Sequence, residues 1–318
     1  MNTPLHSPTT DRRQFLANSL SAAGAALGTG FLSSCASFGG AKNGYVDAHV
    51  HVWTPDTKHY PISKDPKFKA HRTVDSFTPE QLFTHSKPQG VDRIVLVQMS
   101  FYEYDNSYML DMMDKYRGTF SGIGIVDESK ADVAATMKSL ARRGVRGFRI
   151  YTSAEQAATW GDGMKKMWAS AADNGQSMCL LADPASLPIV SKWCRQYPKT
   201  SVVIDHFARI GMKGPIDQTE LNNLCRLAEH EHTHVKTSAF YALGKKKAPY
   251  TDMAPLVRKL RDTFGANRLM WASDCPYQVQ EGHTYADSIA VIRDRLDFLT
   301  PEDKAWMLRK TAERVFFA

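Results

Sequence analysis

The sequence predicts an α/β protein, a single-domain (β/α)8 barrel of the TIM type over residues 44–318 that follows an export signal over residues 1–40. Three observations predict this fold. Short apolar runs alternate with longer helical patterns beyond residue 43. Eight such units occupy about the 250 residues of a typical TIM barrel. No Gly-x-Gly-x-x-Gly motif follows the first predicted strand, which disfavours an open, doubly wound sheet.

The first 40 residues have the pattern of an export signal. Arg12 and Arg13 precede Phe-Leu and a mildly apolar run, rich in Ala, Gly and Ser, over residues 16–32. This order resembles a twin-arginine signal peptide. The sequence Leu-Ser-Ser-Cys that ends at Cys35 resembles a lipobox, and the alternative is ordinary cleavage nearby with Cys35 incidental. We therefore expect an exported protein that is periplasmic or is anchored to a membrane by a lipid on Cys35.

The composition narrows the classes of function. The 318 residues are 43% hydrophobic and 23% charged, as in ordinary globular proteins. The formal net charge is +7, but the basic residues are scattered, and residues 245–247 form the only run of three. This distribution argues against nucleic-acid binding and favours a pocket for a small anion. No apolar run of 18 residues follows residue 40, so membrane contact is expected only through a lipid on Cys35.

The strands and helices follow from runs of apolar residues and their spacing. Short apolar runs predict strands at 45–52, 93–99, 120–126, 145–151, 177–182, 201–207, 234–239 and 268–273. Helical spacing predicts helices at 131–143, 185–196, 218–230 and 252–264, with a last barrel helix at 283–298 and a C-terminal cap at 301–317. Three longer loops, at 53–77, 100–107 and 240–251, follow strands and should lie at the C-terminal face, where TIM barrels carry their active sites.

The first strand carries the most informative pattern. Small apolar side chains alternate with Asp47, His49 and His51 along residues 46–52. Since successive side chains point to opposite faces of a strand, we expect the apolar face to contact the helices and the polar face to point into the barrel. Two imidazoles at that position indicate a metal pair or a polar substrate contact, and the alternative is a pair of hydrogen-bonded core histidines.

Other strands also end in polar residues. We expect His206 to share a face with Val202 and Ile204 at the end of strand 6, and Asp274 to end strand 8. Arg149 and Tyr151 should point the same way from strand 4. Because catalytic residues of a TIM barrel come from several strand ends, this convergence predicts an active site.

The chain resembles a known family at these strands. His49-Val50-His51, the sequence VIDHFARIG at 203–211 and LMWASDCPY at 269–277 resemble the amidohydrolase superfamily. More narrowly, they resemble the amidohydrolase-related branch that includes 2-pyrone-4,6-dicarboxylate lactonase, sugar lactonases and some decarboxylases. The resemblance covers residues 45–317 and implies a hydrolase on a TIM barrel.

The resemblance and the residue chemistry together predict hydrolysis of a lactone or similar cyclic ester. Asp274 would act as general base on water, because an Asp is already ionised at neutral pH. His49, His51 and His206 would polarise the carbonyl.

Five further residues are predicted to bind a small, carboxylated substrate. A guanidinium matches a carboxylate, so Arg149 and Arg209 are candidates, although Arg209 could equally cap a surface helix. Lys236 either contacts substrate or pairs with an acid inside the barrel. Tyr151 and Tyr241 would line the pocket.

Metal dependence stays open at this stage. Metal-dependent members carry a further His or a carboxylated Lys on strand 4 or 5, and residues 177–182 contain neither. We therefore expect no cofactor. The alternatives are a zinc-dependent amidohydrolase or decarboxylase with His49, His51 and Asp274 as ligands, and a lipid-tethered binding protein that has lost catalysis.

Overall fold

Eight parallel strands form the centre of the protein. The computed structural model describes residues 44–65 and 72–318, so the predicted signal peptide and Cys35 lie outside the described residues. The strands are β1 Tyr45–Val50, β2 Val91–Val97, β3 Phe120–Gly124, β4 Val145–Thr152, β5 Ser177–Ala182, β6 Ser201–Ile204, β7 Thr233–Thr237 and β8 Leu269–Trp271. All eight predicted strands are present. Several end earlier than expected, and β6 and β8 differ most from their predicted lengths.

The strands pair in sequence order, and the ends of the sheet meet. Each strand from β1 to β7 pairs in parallel with the next. A bridge between Val50 and Cys275 joins the first strand to the segment that follows β8. Two backbone hydrogen bonds reinforce it, from Asp274 N to His49 O (2.9 Å) and from His51 N to Cys275 O (2.8 Å). The predicted TIM barrel is confirmed.

Helices follow the strands around the barrel. The α-helices are α1 Pro79–Ser86, α2 Ser107–Lys115, α3 Val133–Arg142, α4 Ala154–Ala158, α5 Asp162–Asn174, α6 Leu187–Gln196, α7 Gln218–Arg226, α8 Ala254–Phe264, α9 Tyr285–Ala290, α10 Pro301–Ala305 and α11 Thr311–Phe316. The helix predicted at 301–317 is interrupted by a π-helical turn at Trp306–Lys310, and Val291–Arg295 continues α9 as another such turn. Among the helices of the described residues, none has the length and apolar character of a membrane span.

A small apolar cluster fills the barrel interior below the site. Every second residue of several strands contributes to it, and α11 closes it from beneath. Its buried members are Val46, Ala48, Val95, Val97, Ile123, Cys179, Val203, Met270, Ala272, Ala312 and Phe316. The larger core lies between the strands and the surrounding helices.

The predicted orientation of strand 1 is wrong for its first half. Val46 and Ala48 belong to the interior cluster rather than to the face toward the helices. Asp47 points outward instead, where its carboxylate accepts hydrogen bonds from Tyr285 Oη of α9 (2.7 Å) and from Ser273 N (2.9 Å). The register of β1 shifts between Asp47 and Val50, and this irregularity returns His49 to the interior despite the alternation.

Asp47 therefore stabilises the junction between β1 and the segment after β8. We expect Asp47→Ala to lower the free energy of unfolding by about 3 kcal/mol, since buried donors lose their acceptor. Asp47→Asn keeps a carbonyl oxygen for Ser273 N, and its loss should be less than half as large. Urea unfolding monitored by circular dichroism measures both values. Equal stabilities of the Ala variant and the wild type would contradict this role.

Candidate active site

A cavity of about 1060 Å³ opens at the carboxyl ends of the strands. The structure brings seven of the nine sequence-predicted site residues to its wall: His51, Arg149, Tyr151, His206, Arg209, Tyr241 and Asp274. The other two, His49 and Lys236, are fully buried beneath the wall. The predicted convergence of strand ends therefore produces a single concave site.

Asp274 lies at the floor of this cavity. It follows β8 with a positive φ of 65°, on the same side as the interior residues Met270 and Ala272. Tyr241 Oη donates a hydrogen bond of 2.7 Å to Asp274 Oδ2. The other oxygen, Oδ1, is buried without a hydrogen-bond partner among the described residues. One oxygen of the carboxylate is thus held and the other is available.

Three imidazoles surround this carboxylate. Asp274 Oδ1 lies 3.3 Å from His51 Nε2 and 3.6 Å from His49 Nε2, and Oδ2 lies 3.7 Å from His206 Nε2. Burial alone would raise the pKa of Asp274, but its interactions with His206, His51 and His49 lower it more, to well below its usual value. Asp274 is therefore a carboxylate at neutral pH, as a general base requires.

The ring nitrogens of His51 and His49 face each other. His51 Nδ1 lies 2.8 Å from the carbonyl oxygen of Val97, and since a carbonyl only accepts, this nitrogen carries a hydrogen. The Nε2 atoms of the two rings are 3.2 Å apart. Burial and the nearby Lys236 hold the pKa of His49 well below its usual value, so its ring is neutral. Arg149 Nη1 can only donate to His49 Nε2 (3.1 Å), which places the hydrogen of this ring on Nδ1, toward Asp205 Oδ1 at 3.4 Å. In this tautomer the Nε2 lone pairs of His49 and His51 and one carboxylate oxygen of Asp274 point at a common centre.

This centre fits a divalent metal ion. Ligand atoms of His49, His51 and Asp274 all lie within 4.8 Å of one another, and all three residues are buried. Two imidazoles and one carboxylate are a ligand set that zinc accepts, with water completing a four-coordinate site. A protein cation is also present, because Arg149 Nη1 lies 3.1 Å from His49 Nε2. The cluster could hold a metal ion, and Arg149 would compete with it for this nitrogen.

His206 reaches the site by a route that the alternation did not predict. Val202 and Ile204, whose face it was expected to share, pack toward the helices. The strand ends at Ile204, and His206 takes a positive φ of 52°, which turns it into the cavity. Its Nδ1 lies 2.8 Å from Ser238 Oγ. The backbone turn, and not strand alternation, places this imidazole.

Sequence reasoning overlooked Asp205. It follows Val203 at a spacing of two on the inward face, and that parity was the available signal. Lys236 Nζ lies 3.0 Å from Asp205 Oδ1, and both side chains are completely buried. The interpretation of Lys236 as the partner of a buried acid is therefore the one its position fits. A substrate contact does not fit, because Lys236 lies below the cavity wall.

The remaining predicted residues stand higher in the cavity. Arg149 points inward from β4, and the ring of Tyr151 lies 5.2 Å from its guanidinium. Arg209 lines the cavity but forms an ion pair with Asp183, so its charge is already compensated. It does not cap a surface helix. Tyr277 and Trp160 add aromatic surface to the same wall.

Comparisons with known proteins identify the family of the chain and proteins with a similar fold. The family described as amidohydrolase matches residues 46–318. An L-fucono-1,5-lactonase of Burkholderia ambifaria is 29% identical over 82% of this chain and 91% of its own. A 2-pyrone-4,6-dicarboxylate hydrolase of Comamonas testosteroni is 26% identical over 78% of this chain and 82% of its own. The crystal structure of an amidohydrolase from Burkholderia multivorans with bound HEPES shares the fold, with a TM-score of 0.70 and 19% identity over 86% of this chain and 99% of that chain.

The metal-binding capacity of the cluster can be measured directly. We expect the protein, stripped with a chelator, to take up one zinc ion, and His51→Ala to weaken this binding by at least about 10-fold. His59→Ala is the matched control, because His59 is exposed and its ring pairs with Asp56 in the loop after β1. Isothermal titration calorimetry gives the affinities. Equal affinities of the wild type and His51→Ala would show that zinc binds elsewhere.

Proposed function

Because the chain belongs to the amidohydrolase family of hydrolases, we propose that it opens a lactone or similar cyclic ester with Asp274 as general base. The observation that carries this proposal is the ionised carboxylate at the cavity floor: Oδ1 lies beside His51 and His49 and accepts no hydrogen bond from the described residues, while Oδ2 accepts one from Tyr241. Relatives whose names specify a lactone and a pyrone as substrates support the same reaction class.

The proposed reaction moves one proton in and out of Asp274. The carboxylate takes a proton from water as the water oxygen bonds to the acyl carbon, and the carbonyl becomes an oxyanion. The ring C–O bond then breaks, and the leaving alkoxide receives the proton back from Asp274. The product is a hydroxy acid, and atoms and charge balance.

Arg149 and His206 are the best placed groups to stabilise the oxyanion. Both line the cavity within reach of the Asp274 side, and Arg149 is a permanent cation. A preorganised donor of this kind contributes about 3 kcal/mol to transition-state stability. His49 lies beneath the wall, and His51 commits its Nδ1 hydrogen to Val97. We therefore assign these two rings to orienting Asp274 rather than to polarising the carbonyl.

The charges of the cavity wall indicate what kind of substrate it takes. Arg149 and Arg209 line the cavity together with Glu128, Glu281 and Asp274, and Arg209 is already paired with Asp183. A dianionic substrate would find little uncompensated positive charge here. We propose a small hydroxylated lactone with at most one carboxylate.

A metal-assisted reaction is the second candidate. It is favoured by the convergence of His49 Nε2, His51 Nε2 and Asp274 Oδ1 on one point. When bound there, a divalent ion would supply Lewis acidity and lower the pKa of water. The residues of the cavity wall would bind and orient the substrate in the same way.

Replacement of the proposed base is the decisive experiment. Neutral sugar lactones and carboxylated lactones are assayed with the wild type, with and without added zinc, and the best substrate is used for the variants. We expect Asp274→Asn to lower kcat by about 10²–10⁴-fold, because the carboxamide accepts no proton. Asp114→Asn is the control, since its exposed carboxylate pairs with Arg143 and does not line the cavity. Unchanged kcat in Asp274→Asn would contradict the role of Asp274.

We also propose export by the twin-arginine route, with a lipid on Cys35. The pattern from Arg12 to Cys35 supports it. In a Gram-negative host, replacing both arginines by lysine should leave the precursor in the cytoplasm. Cys35→Ala should release the exported protein from the membrane fraction, as detected by immunoblotting. Normal export of the double-lysine variant would contradict the route, and membrane retention of Cys35→Ala would contradict the anchor.

A further inference from the structure

A chain of buried charges lies directly beneath the proposed active site. We call Lys236, Asp205 and Arg149, with His49 between them, the buried ion network. Lys236 Nζ lies 3.0 Å from Asp205 Oδ1, and Asp205 Oδ2 lies 3.9 Å from Arg149 Nη1. Lys236 and Asp205 are completely buried, and neither lines the cavity.

His49 is held on both edges of its ring by this network. Its Nδ1 lies 3.1 Å from Lys236 Nζ and 3.4 Å from Asp205 Oδ1. Its Nε2 lies 3.1 Å from Arg149 Nη1 and 3.6 Å from Asp274 Oδ1. A ring with polar partners at both nitrogens has one preferred orientation. Through this ring, Asp205 and Lys236 are connected to the carboxylate at the cavity floor.

Stability alone gives a weak reason for such a network. Removing two charges from water costs several kcal/mol for each, and apolar residues of similar volume are often as stable in the same place. The interior just below is filled by apolar side chains, so an apolar pair would continue an existing cluster. The ion pair of Lys236 and Asp205 lies instead where Asp205 contacts both His49 and Arg149.

We propose that Asp205 and Lys236 are positioning residues, which fix the ring of His49 and the guanidinium of Arg149 relative to Asp274. Asp205 contacts both groups, and Lys236 neutralises Asp205 while contacting His49 Nδ1. Neither residue touches the substrate. Their effect on turnover passes through His49 and Arg149, as outer-shell partners orient the groups that contact a ligand.

A double variant separates positioning from a merely structural role. Asp205→Asn or Lys236→Met alone leaves one buried charge uncompensated and should reduce stability. The combination Asp205→Asn with Lys236→Met removes both charges and should restore most of it. We expect the double variant to keep kcat about 10–100-fold below the wild type, with KM nearly unchanged. A purely structural pair would recover kcat together with stability, and that result would overturn the proposal.

A matched ion pair far from the cavity serves as control. Arg93 of β2 and Glu313 of α11 lie 2.9 Å apart and are partly exposed. The double variant Arg93→Met with Glu313→Gln should leave kcat and KM unchanged. Should the double variant at Asp205 and Lys236 not fold, Lys236→Gln provides the second test. Lower kcat at unchanged KM supports the proposal, and unchanged kcat overturns it.

The kinetic readout rests on the proposed lactone hydrolysis. If the wild type opens no lactone, the proposed function fails, and the positioning role is still measurable. The ¹⁵N chemical shifts of the His49 ring, or a crystal structure of the double variant, report whether the ring keeps its orientation. A ring unchanged in position and tautomer would overturn the inference independently of turnover.

Discussion

Closure of the barrel between its first strand and the segment after its last is the constraint on which the candidate site depends. The backbone nitrogen of Asp274 donates to His49, and that of His51 donates to Cys275. These bonds bring the carboxylate beside two imidazoles from a part of the chain more than 200 residues away. Asp47 secures the same junction from the outside through Ser273 and Tyr285. Main-chain pairing therefore places the two parts of the site next to each other.

Sequence patterns were sufficient for the barrel because its signal is repeated. Eight apolar runs with helices between them average out errors at individual ends, and all eight strands were recovered. The face to which each side chain of a single strand points is predicted from that strand alone, so one local irregularity makes the prediction wrong. A local register shift in β1 puts Asp47 and His49 on opposite faces, and a positive φ at His206 separates this ring from the face of Val202 and Ile204. Neither feature leaves a periodic trace in the sequence. Asp47, read as inward, points outward for this reason.

The sequence predicted which residues meet at the cavity better than it predicted the backbone geometry that brings them there. Four strand ends do contribute polar groups to one cavity, as expected. Asp205 was not predicted because strict alternation, with His206 pointing inward, puts its neighbour on the face toward the helices. Lys236 illustrates a different limit. Its residue type allows a substrate contact or an ion pair, and only the depth of the side chain beneath the wall distinguishes the two.

Charge balance explains how so many ionisable groups share one barrel. Asp205 and Asp274 carry negative charge, Arg149 and Lys236 carry positive charge, and burial lowers the pKa values of His49 and His206. The four charges sum to zero. In the proposed hydrolysis, neutral water enters, its proton neutralises Asp274, and the oxyanion takes up the negative charge. The net charge of the buried set with its substrate therefore stays constant through the reaction. Fixed groups that need little reorganisation are what an electrostatically efficient site requires.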